Sequence, residues 1–144
     1  MSKKKEIIIS WMLLVIWMIF IFIMSSFNGN ISSNQSGTIA DLIYNLFDIS
    51  DTEKVSLIVR KCAHVSEFFI LGILVINLVS KYNVKHIYFI SFIVCVLYAS
   101  SDEFHQLFVP GRSGQVTDIF IDMIGVVLGL SIYCLIKYFK SLRL

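Results

Sequence analysis

The chain has 144 residues, is 57% hydrophobic with a mean hydropathy of +0.81, and contains a single proline. That balance excludes an ordinary soluble domain and points to a membrane protein. The net charge of +2 comes from twelve basic and ten acidic residues. The basic ones flank apolar runs rather than forming one patch, which excludes nucleic-acid binding.

The first apolar run, Ile7 to Met24, follows Lys3, Lys4 and Lys5. A basic start also describes a secretory signal peptide, but this run exceeds the usual apolar core of about 7–15 residues. "MSSFNGN" after it offers no small-residue cleavage site, so the sequence predicts an uncleaved anchor helix over 7–24. A long connection, 25–60, comes next. Its first half is polar and turn-like, while in its second half Ile39, Leu42, Ile43, Leu46 and Phe47 recur at helical spacing opposite Asp41, Asn45 and Asp48. This predicts a short amphipathic helix over 38–48, lying on the outer membrane interface or packed over the bundle mouth as a lid.

Three further apolar runs predict helices over 61–80, 87–108 and 118–137. Each reaches about 20 residues, enough to cross roughly 30 Å of hydrocarbon. Continuous rather than alternating apolarity argues against strands. The short "KYNVKH" loop makes the second and third helices an antiparallel pair. The expected fold is an all-α membrane protein: one domain over 1–144, with four transmembrane helices. Lysine and arginine set the orientation. Lys3, Lys4, Lys5, Lys81, Lys85, Lys137, Lys140 and Arg143 fall on one side, and Lys54, Arg60, Lys61 and Arg112 on the other, which puts both chain ends in the cytoplasm. Cys62, Cys95 and Cys134 fall at three different depths and read as small apolar fillers rather than disulfide partners.

Counting from the cytoplasmic helix ends, Glu67 precedes Lys81 by 14 positions, Asp102 follows Ile87 by 15, and Asp122 precedes Lys137 by 15. At about 1.5 Å per residue these three carboxylates share a depth of roughly 21–23 Å. His64, His105 and Asp118 come one turn higher, with Arg60 and Arg112 above them. Arg60, His64, Glu67 and Leu71 share one helix face; Asp118, Asp122, Gly125 and Gly129 share another. Charge facing lipid costs at least about 2.5–3.5 kcal/mol per group, so these faces must meet inside the bundle. Tyr98, Ser101, Asp102 and His105 close an outward-facing polar cup. Glu103, about 100° round its helix from Asp102, is left outside it.

Three chemistries fit this set. The first is a structural ion-pair network in which Arg60, Lys61 and Arg112 neutralise the carboxylates. The second is a divalent-metal site of His64, Glu67, His105 and Asp118, in which His64 and Glu67 have the i,i+3 spacing of two ligands on one face. The third is an anion site in which Arg60, Arg112 and the histidines hold the phosphate or carboxylate of an amphiphile. The anion is favoured over the metal, because basic side chains at this layer repel a divalent cation unless carboxylates outnumber them locally. No resident cofactor is then expected, a divalent metal being the alternative. Ser101 beside Asp102, one turn from His105, gives only thin support for a nucleophile.

"RKCAHVSEFFILG" (60–72), "SDEFHQLFVPGRSGQVTDIFIDMIGVVLG" (101–129) and, more loosely, "SSFNGNISSNQS" after the first helix resemble the VanZ-like family of small bacterial membrane proteins. The matched polar positions are Arg60, Lys61, His64, Glu67, Ser101, Asp102, Glu103, His105, Gln106, Arg112, Asp118 and Asp122. Phe68 stands where the family often has tyrosine, and Phe27 where glutamine is common. The resemblance implies a multi-pass protein of the bacterial cell membrane, associated with glycopeptide (teicoplanin) resistance, whose partners are the lipid bilayer and a lipid-linked wall precursor or lipoglycopeptide. It supplies no reaction; a metal-dependent membrane hydrolase and a non-catalytic partner subunit remain the alternatives.

Overall fold

A computed structural model describes residues 2–28 and 52–142. They form four helices: α1 (Lys3–Ser25), α2 (Thr52–Val79), α3 (Ile87–Gln106) and α4 (Val116–Leu142). All four are long and apolar enough to cross a membrane, and the described residues contain no strand. The amphipathic helix expected over 38–48 lies outside the described residues.

The helices outrun the apolar segments that announce them. α2 begins at Thr52, not near residue 61, and α1 and α4 extend to Lys3 and Leu142. Backbone hydrogen bonding continues past the point where the side chains turn polar, because a charged side chain on a helix end can reach water or head groups without breaking the ladder. α3 is shorter than expected, ending at Gln106 instead of 108.

The tightest seam joins α2 to α4. A Cβ built on Gly125 or Gly129 would run into the backbone carbonyl of Val65 or Phe69, respectively, and one on Gly72 would sit 3.1 Å from the Val126 carbonyl. Small residues let two backbones approach where the hydrophobic effect gives no drive between helices. Phe68, Leu71, Val75, Ile76, Cys95, Ala99, Val126 and Leu130 fill the adjoining core. The outer faces are apolar and bare, with Phe89 66% and Phe120 62% exposed, as a lipid-facing surface requires.

α1 is the outlying helix, tied on by side-chain bonds along its length. Trp17 Nε1 donates to the Glu67 carbonyl at 3.0 Å, and the Tyr98 hydroxyl donates to the Met18 carbonyl at 2.6 Å. Toward its other end, Asn77 Nδ2 donates to Ser10 Oγ at 3.3 Å and Lys81 Nζ to the Glu6 carbonyl at 3.2 Å.

Candidate functional site

The polar residues gather where α1 ends, α3 ends and α4 begins. α3 is followed by a tight turn: the Arg112 N–H donates to the Val109 carbonyl at 3.1 Å, with Pro110 and Gly111 between them and Gly111 at φ 74°. Proline at the second position and a positive-φ glycine at the third are what a type II turn asks of the sequence. The chain then crosses back over α3, where a Cβ on Gly114 would strike the Glu103 carbonyl, so the crossing is as close as backbone allows. Glu103 Oε2 accepts the Gln115 N–H at 2.9 Å, immediately before α4 starts at Val116. An anionic acceptor at this place satisfies a donor that the helix leaves over and suits the positive end of its dipole.

That contact explains a correction. Glu103 is not outside the cup: it is 4% exposed, like its neighbour Asp102. The returning loop and the start of α4 widen the polar interior to cover both faces of α3. Gln106 bridges them, its Nε2 lying 3.0 Å from Asp102 Oδ2 and 3.3 Å from Glu103 Oε1.

α2 and α4 complete the interior. Asp122 is fully buried, and its Oδ1 lies 3.3 Å from His64 Nδ1, though not aligned for a hydrogen bond. Glu67, partly buried, is within electrostatic reach of His64, Asp102, Asp122 and Arg112. One donor atom from each of His64, Asp102 and Glu103 falls within 4.8 Å of the others. This trio differs from the expected ligand set of His64, Glu67, His105 and Asp118, sharing only His64. Around it, His64 Nδ1, Asp102 Oδ1 and both Asp122 oxygens are buried without a hydrogen-bond partner.

The remaining cup residues lie at the margin. His105 leaves α3 toward α1, its ring against Phe22 at 4.5 Å and its Nε2 3.1 Å from Ser26 Oγ. The Ser26 hydroxyl already donates to the Phe22 carbonyl at 2.6 Å, so Nε2 carries the proton in this contact. Asp118 pairs with Lys61 at 3.5 Å on the surface. Ser101 is exposed and donates to the Tyr98 carbonyl of its own helix at 2.7 Å, which leaves it no base. Arg112 grips the end of α1, donating Nε to the Phe27 carbonyl at 3.2 Å and Nη2 to the Met24 carbonyl at 3.3 Å. Burial, reinforced by the positive charge of Arg60, pulls its guanidinium below the ordinary arginine range, opposed by Asp102, Glu67 and Glu103. Arg60 itself is partly buried on α2, one turn before His64.

An apolar groove of about 310 Å³ runs down from this polar end. Met18 of α1, Leu71 and Val75 of α2, and Val94, Leu97 and Tyr98 of α3 line it, with Ser101 at its polar end. The Tyr98 ring thus forms groove wall on one side and lies within electrostatic reach of Asp102 and Glu67 on the other.

Sequence reasoning left Glu103, Gln106 and Gln115 out of the cup. The signal for Gln106 was present, since it stands four residues after Asp102 and three after Glu103 on one helix. No curated protein and no solved structure matches the chain. The VanZ/LLP1 family model matches residues 10–137, a span that contains the whole polar cluster and the groove. The chain therefore belongs to the VanZ/LLP1 family.

Proposed function

We propose that this protein sits in the bacterial cytoplasmic membrane with both ends in the cytoplasm and handles an amphiphile of the outer leaflet. The amphiphile's polar head meets the His64–Asp102–Asp122 cluster, and its apolar tail lies along the groove. The observation that carries this reading is the junction of groove and cluster at Tyr98 and Ser101. A site that served only to pin helices together would have no use for an apolar groove beside it. From Val94 to Ser101 the groove follows seven residues of helix, about 10 Å, which accommodates part of an acyl chain.

The candidate ligands are a lipid-linked wall precursor and a lipid-tailed glycopeptide, the latter in keeping with the association of VanZ-like proteins with teicoplanin resistance. A purified, detergent-solubilised chain should bind teicoplanin or a lipid-linked wall precursor. Leu97→Trp, which fills the groove, should abolish that binding, while Leu135→Trp on an exposed face of α4 should not. Failure of both ligands to bind the unaltered chain would sink the proposal.

A further inference from the structure

The geometry points to a divalent-cation site of the Mn²⁺ or Zn²⁺ type, held by His64 of α2 and by Asp102 and Glu103 of α3. Three donors from two helices already lie within 4.8 Å of one another. The independent sign of a ligand is the set of unpartnered atoms around them. Asp102, 4% exposed, has Gln106 on Oδ2 and no aligned hydrogen bond on Oδ1, and fully buried Asp122 has His64 Nδ1 3.3 Å from its Oδ1 but out of line, and no hydrogen bond on Oδ2. Buried acceptors of this kind are expensive unless a proton or a cation meets them.

Charge balance favours the cation. Four carboxyl groups, those of Glu67, Asp102, Glu103 and Asp122, gather here against the two guanidinium groups of Arg60 and Arg112. Lys61 is engaged with Asp118. The sequence-based objection, that basic side chains repel a metal, required them to face it. Instead Arg112 points two of its donors at the end of α1, and the carboxylates outnumber the guanidinium groups.

The surrounding bonds also suit ligation. Gln106 and the Gln115 N–H fix the two α3 carboxylates. Asp122 lies 3.3 Å from one ring nitrogen of His64 but out of line for a hydrogen bond, so that closing this bond on ligation would fix the imidazole. One imidazole with carboxylates suits Mn²⁺ or Zn²⁺ over softer, thiolate-seeking ions. This inference does not rest on the amphiphile reading, because metal content is read without any amphiphile.

The test uses the full chain in detergent, stripped with chelator, reloaded with Mn²⁺ or Zn²⁺ and desalted. Elemental analysis should give close to one equivalent per chain for at least one of the two. His64→Gln and Asp102→Asn should each lose it, Asp122→Asn should bind about 10–100-fold more weakly, and Ser131→Ala, at an exposed position of α4 away from the cluster, should bind as the unaltered chain does. Should the site variants fail to fold, the unaltered Mn²⁺ protein still decides the matter: pulsed electron paramagnetic resonance should show coupling to one imidazole nitrogen. Stoichiometry near zero for both ions, retention of metal in folded His64→Gln and Asp102→Asn, or Mn²⁺ without nitrogen coupling would each overturn the site.

Discussion

Gln115 donates its backbone N–H to Glu103 Oε2 at 2.9 Å, so a side chain near the end of α3 serves as acceptor at the start of α4. The bond spans the turn that carries Arg112 and sets where Asp122 enters the bundle. Glu103→Ala should destabilise the solubilised protein by about 1 kcal/mol, because a part-buried hydrogen bond is lost. Glu103→Gln keeps an acceptor oxygen and should recover most of that loss. Thermal melts followed by circular dichroism would measure both, and equal losses would show that charge, not the accepted bond, is what matters there.

The α2–α4 seam gives a second expectation. A methyl group on Gly129 would meet the Phe69 carbonyl, which is backbone and cannot rotate aside. Gly129→Ala should therefore push the helices apart and cost about 1–3 kcal/mol. Val127→Ala, on an exposed stretch of the same helix, should change stability by no more than about 0.5 kcal/mol. A harmless Gly129→Ala would mean that the seam is looser than described.

How much of this was legible follows from what each signal depends on. Four helices were readable because a membrane crossing needs a long continuous apolar run, and the depth count brought Glu67, Asp102 and Asp122 to one level. Glu103 was misplaced because a helical wheel assumes one wet face, whereas the Gly114 crossing and the start of α4 wrap polar backbone round a second face of α3. Asp118 and His105 share the periodicity of cup residues, yet Lys61 and Ser26 engage them at the edge. Spacing fixes a face and a height; it does not say which neighbour a side chain finds. The early start of α2 escaped notice for a related reason, since charges between 53 and 61 end the hydropathy signal without ending the helix.

Orientation can be read by labelling. In a version lacking Cys62, Cys95 and Cys134, a cysteine at Ser113, in the loop between α3 and α4, should react with an impermeant thiol reagent on intact cells. One at Asn83, in the loop between α2 and α3, should react only after lysis. Both positions are exposed, so accessibility within the fold does not bias the comparison. The reverse pattern would invert the proposed topology and place the polar cluster on the cytoplasmic side.

Arg112 offers the most informative single substitution. It donates through Nε and Nη2 to the Phe27 and Met24 carbonyls at the end of α1, where Met24 also accepts the Phe27 N–H at 3.4 Å. Lysine keeps the charge and has three donors, but they radiate from one nitrogen and lack the planar fork that sets Nε and Nη2 against two separate carbonyls, so it holds the pair less well. Arg112→Lys should lose about 1.5–3 kcal/mol, roughly one charged bond, and Arg112→Ala about twice that. The loss should be local, because α1 is tied on elsewhere through Trp17 and Tyr98. A disulfide engineered between the ends of α1 and α3 would then form more slowly in Arg112→Lys than in the unaltered arginine protein, while a crosslink between α2 and α4 would form equally well. If the guanidinium instead served mainly to hold a ligand anion, Arg112→Lys would leave both crosslinking rates unchanged and reduce only amphiphile binding.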